Sequence, residues 1–174
     1  VPHNVMGNHA DAVLPVIDTA LAAAGRRLDD VDVIGVTDGP GSFTGVRIGV
    51  ATAKGLAYAL GADLAAVPTL AAMAADLLLC HPQRTLAVPV LDARRGEVFG
   101  AVYRREGAWV APLRGPFCLA PDAAWQEVVA ATAAPGDPVY GGDGTAILLG
   151  EGENLRPQLR GAGDPVARPW SAAH

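Results

Sequence analysis

The sequence predicts an α/β fold in two lobes, and three observations support this prediction. Of the 174 residues, 51% are hydrophobic and only 18% are charged, which is typical of a chain with a packed core. Helical and strand-like segments alternate over residues 9–80, an order that produces parallel strands joined by crossover helices. After residue 82, strand-like segments follow one another directly, as in an antiparallel sheet. We therefore place the first lobe at residues 1–82 and the second at residues 83–174.

The first lobe is predicted to contain three helices and two short strands, of which the one at residues 31–37 is predicted to be buried. Apolar residues at helical spacing, β-branched runs and glycine-rich turns define their limits. Pro15 lies inside the first helix, where it removes a backbone hydrogen bond. The predicted helices span residues 9–24, 44–60 and 68–80, and the predicted strands span residues 31–37 and 64–67.

The second lobe is predicted to contain a small antiparallel sheet with two helices. Residues 96–104 alternate in the manner of a half-buried strand, and residues 92–96 form the preceding hairpin loop. A proline at position 121 suits the first turn of a helix. The predicted strands span residues 86–91, 96–104, 108–113 and 139–142, the helices span residues 121–133 and 144–149, and residues 151–168 are predicted to be loop.

Charge and cysteine content exclude several classes of protein. The net charge of −5 argues against a chain that binds RNA or DNA by itself. Cys80 and Cys118 form no CxxC pair, and the four histidines have no metal-ligand spacing, so we expect reduced thiols and no metal. No apolar run approaches the roughly 20 residues that cross a bilayer. These features favour a cytoplasmic protein without a membrane anchor or a cofactor.

A glycine-rich turn connects the predicted strand at residues 31–37 to the predicted helix at residues 44–60. Glycines there allow positive φ, and the helix N-terminus offers free N–H groups that could bind an anion or phosphate. The alternative is a rigid turn that only packs the helix on the sheet. The Lys-Ser/Thr ending of a Walker loop is missing. The residues of this turn are Gly39, Pro40, Gly41, Ser42, Phe43 and Thr44.

The helix after this turn has a stripe with almost no side-chain volume. Gly45, Gly49, Ala53 and Ala57 recur at every fourth residue and share one face. Such a stripe predicts unusually close contact with a second backbone, either the first helix of this chain or a helix of another subunit. Arg47 lies in the first turn, where a cation opposes the helix dipole. It therefore either has an anionic or carbonyl partner or is a surface arginine without a role.

The residues show no nucleophilic site. Ser42 is not in a GxSxG pattern, and no histidine and aspartate accompany it in sequence. Asp38, Asp92 and Glu97 lie near loops at spacings that do not define an acid–base pair. We predict no catalytic residue in this chain.

Residues 33–72, VIGVTDGPGSFTGVRIGVATAKGLAYALGADLAAVPTLAA, resemble the signature region of the TsaB (YeaZ) family. The resemblance continues through residues 91–105 (LDARRGEVFGAVYRR) and 139–144 (VYGGDG). It implies an actin-like ATPase (ASKHA, ribonuclease H-like) fold of two lobes. With a start at Val1 and an end at His174, we expect the first strands of the first lobe and a C-terminal helix of the second to be missing.

The resemblance also implies a role in making N6-threonylcarbamoyladenosine on tRNAs that read ANN codons. In that family the protein is not the catalyst, but pairs with the transferase subunit TsaD and the ATPase TsaE, and meets tRNA only in the complex. Helices of the first lobe form the TsaD contact, and similar surfaces form homodimers. The implied interface consists of Val13, Ile17, Gly45, Val46, Arg47, Gly49, Ala53 and Ala57.

The residues that follow the second strand explain the implied loss of catalysis. The catalytic relative carries there a HxEGH-like pattern that ligates a metal, and by position this chain has Thr69, Ala71 and Met73 instead. These side chains cannot form an imidazole–carboxylate site. The competing hypotheses are a nucleotide-using transferase of the same fold, an M22-like metallopeptidase, and a homodimeric interaction module with another target. The two arginines in residues 92–96 argue against a phosphate-binding turn.

Overall fold

The computed structural model describes residues 9–132 and 138–150, so the predicted loop at 151–168 lies outside the described residues. The chain forms two compact units, one ending at Thr69 and the other beginning at Leu70. The sequence places the boundary at residue 82 instead. The helix between these positions belongs to the second unit because Leu70, Met73 and Leu78 lie in the core of that unit.

The first unit contains a parallel pair of strands, as the alternating helices and strands predict. Strands β1 and β2 pair in register from Val33 opposite Asp63 to Thr37 opposite Val67. A short 3-10 turn, Leu28–Asp30, precedes β1. The elements of this unit are α1 (His9–Ala23), β1 (Val33–Thr37), α2 (Phe43–Leu60) and β2 (Asp63–Val67).

Helix α2 packs mainly on β1 through its small residues. Ala53 and Ala57, only 5% and 8% exposed, are the buried residues of the helix. A methyl group added to Gly49 would lie 3.9 Å from Cγ2 of Val36 on β1. Each interior glycine costs the helix about 1 kcal/mol relative to alanine. The buried alanines show that the middle of the stripe is turned inward.

The second unit is a four-stranded sheet with helices on both faces. The strand order is β5-β4-β3-β6, antiparallel except that β6 runs parallel to β3. The sequence predicts that the third strand of this lobe ends at residue 113, but the corresponding strand β5 continues to Leu119. It contains Pro112 and Pro116, which are tolerated because β5 is an edge strand. The elements are α3 (Thr69–Cys80), β3 (Leu86–Arg94), β4 (Glu97–Glu106), β5 (Trp109–Leu119), α4 (Pro121–Thr132), β6 (Pro138–Gly141) and α5 (Thr145–Leu149).

Alternate residues of the strands supply two hydrophobic clusters, one on each face of this sheet. Val88 and Val90 pack with α4 and α5, whereas Ala87 packs with α3. The rings of Trp125 and Tyr140 stack with centroids 6.5 Å apart. Burial in this cluster raises the pKa of Tyr140 to about 12. No helix in the described ranges is long and apolar enough to cross a membrane.

The hairpin between β3 and β4 is tighter than the predicted loop at 92–96. Its strands are separated by two residues only, and the φ values of Arg94, Arg95 and Gly96 are 68°, 55° and 80°. The Asp92 carboxylate holds this turn by accepting the backbone N–H of Arg94 at 2.7 Å and its guanidinium at 2.9 Å. The turn therefore combines hydrogen bonds to Asp92 with a glycine at positive φ.

The loop between β6 and α5 lies directly against the end of β3. A methyl group on Gly142, whose φ is 119°, would overlap the carbonyl oxygen of Val90. One on Gly144 would lie 2.6 Å from the carbonyl carbon of Leu91. Asp143 accepts the backbone N–H of Asp92 at 2.9 Å. Only glycine allows the two segments to approach this closely.

Gly142→Ala should therefore lower the free energy of unfolding by at least about 2 kcal/mol, since positive φ alone costs about 1–3 kcal/mol in a residue with a side chain. The matched control is Gly115→Ala, in an extended segment with nothing within 4 Å of the added methyl group. It should leave stability unchanged or raise it slightly. Urea denaturation followed by circular dichroism measures both; equal midpoints for the two variants would contradict this packing.

A second pair of variants tests the inward direction of the small-residue stripe. Ala53→Leu should destabilise the protein by about 1–3 kcal/mol, because the larger side chain overpacks the space beneath α2. Ala51→Leu makes the same change at an exposed position of the same helix and should have little effect. Thermal unfolding of each variant provides the comparison. A stable Ala53→Leu protein would place the stripe on the outside.

Candidate partner interface

The glycine-rich turn is held at both ends by backbone hydrogen bonds within the first unit. The N–H of Asp38 donates to the carbonyl of Val67 at 3.1 Å, and the N–H of Thr69 donates to the carbonyl of Gly39 at 2.8 Å. Gly39 itself has a φ of 119°, which favours glycine. The turn is thus fixed to the end of β2 before α2 begins.

Ser42 caps α2. Its hydroxyl oxygen accepts the N–H of Gly45 at 3.4 Å, and its carbonyl accepts the N–H of Val46 at 2.8 Å. Serine is a preferred N-cap because it satisfies donors that have no partner inside the helix. This geometry supports the interpretation as a rigid helix-starting turn.

The partner of Arg47 is an aromatic ring and not the anionic or carbonyl group that the sequence predicts as one alternative. Its guanidinium carbon lies 5.1 Å from the centroid of the Phe43 ring, one helical turn earlier. Such a cation–π contact stabilises by about 0.5–1 kcal/mol at an exposed site. Phe43 is 75% exposed. The pair therefore presents a flat, cationic surface to solvent.

The predicted interface residues divide by burial. Gly45 and Arg47 are exposed on α2, whereas Ala53 and Ala57 are buried within the first unit. The others are half-buried: Val13 and Ile17 on α1, and Val46 and Gly49 on α2. Helices α1 and α2 contact each other. The buried alanines can therefore shape the surface only by fixing where α2 lies.

Two further exposed residues lie on α2 outside the stripe of small residues. Tyr58 is 93% exposed, and Lys54 is exposed one turn before it. Counted from Phe43, residues 47, 54 and 58 are four, eleven and fifteen positions further along the helix, so all four share one face. That spacing is present in the sequence and could have identified the face.

The positions implied as metal ligands in the catalytic relative have different surroundings here. Met73 is 2% exposed and lies in the hydrophobic cluster beneath α3. Its methyl carbon would be 2.9 Å from a methyl group on Gly142, so it fills the space left by that glycine. Over residues 9–132 and 138–150, no three His, Cys, Asp or Glu residues are grouped to hold a metal.

The family model described as "TsaD: tRNA N6-adenosine threonylcarbamoyltransferase" matches residues 1–137. The TsaB protein of Haemophilus influenzae is 44% identical over 100 residues, covering 56% of this chain and 41% of the relative. The TsaB protein of Escherichia coli is 38% identical over 103 residues, covering 58% of this chain and 44% of the relative. A tRNA N6-adenosine threonylcarbamoyltransferase of Sorangium cellulosum is 30% identical over an alignment covering 97% of this chain and 54% of the relative. The matched part is thus less than two thirds of each relative.

Solved structures agree with this assignment. YeaZ from Pseudomonas aeruginosa superposes with a TM-score of 0.64 at 30% identity, covering 77% of this chain and 60% of that one. A second Pseudomonas aeruginosa structure, described as similar to peptidase YeaZ, gives a TM-score of 0.65. The fold is the actin-like ASKHA fold that the resemblance implies. The chain therefore belongs to the TsaD family of tRNA N6-adenosine threonylcarbamoyltransferases and their TsaB (YeaZ) relatives.

Proposed function

We propose that the protein is a non-catalytic subunit required for N6-threonylcarbamoyladenosine formation on tRNAs that read ANN codons. It would act in the cytoplasm by binding and activating a TsaD-like subunit that transfers the threonylcarbamoyl group. Two of the relatives above are named for tRNA threonylcarbamoyladenosine biosynthesis. The chain covers less than half of each of these two relatives, so these activities and partners are proposed for the protein as a whole.

Met73 is the observation that carries the non-catalytic part of this proposal. It occupies the position implied for the second metal-ligating histidine, and its thioether is part of a closed hydrophobic cluster. Zinc and iron sites of hydrolytic or transfer enzymes use imidazole and carboxylate ligands. A buried methionine, together with Thr69 and Ala71, supplies neither.

Helices α1 and α2 supply the proposed contact with the TsaD-like subunit. The surface would consist of Arg47, Gly45 and the half-buried residues of both helices, while Ala53 and Ala57 set the height of α2 above β1. A TsaE-like ATPase would join the complex, and tRNA would bind only there, consistent with the chain's net charge of −5. A homodimer through the same surface is the competing assembly.

Reconstitution tests this function. The chain should co-elute with the TsaD-like subunit in size-exclusion chromatography and should increase threonylcarbamoyl transfer to an ANN-reading tRNA when the TsaE-like ATPase is present. The chain alone should transfer nothing. Met73→His, in which one imidazole replaces the thioether without restoring Thr69 or Ala71, should not make the chain active.

Three outcomes would contradict the proposal. Transfer or peptide hydrolysis by the isolated chain would make it an enzyme, and micromolar binding of Mg-ATP in calorimetry would revive the nucleotide-using alternative. Failure to bind or stimulate the TsaD-like subunit would remove the proposed role and favour an interaction module with another target.

A further inference from the structure

The hairpin turn between β3 and β4 holds two arginines in a backbone conformation that favours other residues. Arg94 and Arg95 have φ values of 68° and 55°, and they are the only non-glycine residues with positive φ in the described part of the chain. Asparagine, aspartate and glycine are the usual residues of such tight hairpin turns, because a larger side chain disfavours left-handed backbone. Strained residues of this kind concentrate at functional sites. We call Arg94 and Arg95 the arginine turn.

The strained backbone of Arg94 is compensated by contacts within the second unit. Asp92 accepts both the backbone N–H and the guanidinium of Arg94, at 2.7 and 2.9 Å. Asp92 is itself fixed, since its own N–H donates to the Asp143 carboxylate at 2.9 Å. The close approach of Gly142 and Gly144 to the end of β3 holds the loop that carries Asp143. The arginine turn therefore lies on a rigid base.

Arg95 has no such compensation. It is exposed, and its side chain makes no hydrogen bond or ion pair to any of the described residues. The two acidic residues nearest to it in sequence have other partners: Asp92 pairs with Arg94, and the Glu97 carboxylate lies 3.7 Å from the Sγ of Cys118. The guanidinium of Arg95 is therefore available to an anion of another molecule.

A phosphate is the anion that this turn fits best. The planar guanidinium presents its N–H donors as a fork that matches the oxygens of a phosphate. Protein interfaces usually add apolar or aromatic anchors at their centre. The turn offers none, because residues 94–96 are two arginines and a glycine. A carboxylate on a protein surface is therefore the weaker candidate.

The backbone of an RNA is a better source of this phosphate than a bound nucleotide. Turns that hold the phosphates of a nucleotide use glycines, so that backbone N–H groups can surround the anion. Two arginines argue against such a cradle, but an exposed side chain can reach a phosphate on the outside of an RNA. One such contact is weak by itself. It therefore agrees with a chain of net charge −5 that does not hold tRNA alone.

We propose that the arginine turn contacts a backbone phosphate of the tRNA when the chain is part of the complex with the TsaD-like subunit. Arg95 binds the phosphate, and Arg94 positions the turn through Asp92. This inference rests on the proposed function and adds a contact by which a non-catalytic subunit helps to hold the substrate. It also gives the strained backbone of Arg95 a reason, since that backbone places a cation at the tip of a rigid hairpin.

Titration of the reconstituted complex with an unmodified ANN-reading tRNA tests this contact. Arg95→Asn removes the cation but keeps a residue that tolerates left-handed backbone. It should weaken tRNA binding at least about threefold and lower the slope of log K against log salt concentration by about one. The thermal unfolding midpoint of the variant chain should stay the same or rise, because backbone strain is relieved. An arginine with only a structural role would change the midpoint and not the salt slope.

The matched control is Arg26→Asn, which removes the same charge from the first unit. Arg26 is exposed, does not have positive φ, and its side chain has no partner among the described residues. This variant should change the Kd for tRNA less than twofold and leave the salt slope unchanged. An equal loss of tRNA affinity in both variants would show an effect of net charge and would overturn the assignment to the arginine turn.

The remaining outcomes separate this inference from the function on which it rests. If the wild-type chain stimulates transfer and the Arg95→Asn complex binds tRNA with unchanged affinity and salt slope, the inference is wrong and the function stands. If the wild-type chain neither binds nor stimulates the TsaD-like subunit, the proposed function itself fails. Weaker binding of Arg95→Asn to that subunit, with tRNA affinity unchanged, would make a protein carboxylate the occupant and overturn the tRNA contact. Binding of Mg-ATP by the wild-type chain that Arg95→Asn abolishes would overturn it in favour of a nucleotide phosphate.

Discussion

The close contact between α2 and β1 is the constraint on which the first unit depends. The sheet there has two strands within the described residues, and α2 packs on both of them. Ala53 and Ala57 are the buried residues of this helix, so its small-residue face is turned inward. The same contact fixes the rotation of α2 about its axis. Because the buried alanines determine which face of α2 is turned inward, they also determine which face is exposed. The exposed face carries the aromatic and cationic side chains of the helix.

In the second unit, Met73 and Gly142 lie close together in the hydrophobic packing. Met73 extends toward Gly142, a residue held at positive φ against the carbonyl of Val90. A side chain at position 142 would overlap the end of β3 at Val90 and the methyl group of Met73. The region where the catalytic relative is implied to hold a metal is therefore occupied by hydrophobic contacts. This packing of Met73 in the core supports the proposed non-catalytic role.

Most of the fold could be predicted from the sequence because periodicity and turn residues are strong in this chain. The parallel pair, a helix over residues 44–60 and the β3–β4 hairpin are all predicted and are confirmed. The continuation of β5 past Pro116 was not, because proline reads as a strand end unless the strand is known to be at an edge. The sequence also could not show whether the small-residue stripe of α2 is buried or exposed. Spacing shows which residues share a face, but only the position of β1 shows that this face is turned inward.

The edge strand β5 has a consequence for how copies of the second unit can meet. Pro112 and Pro116 have no N–H to donate, and the strand pairing shifts register near Arg114. An incoming strand would find gaps in the hydrogen-bond ladder along this edge. Extension of the sheet from one molecule to the next is thus disfavoured at β5, so backbone pairing along this edge is a poor route to association.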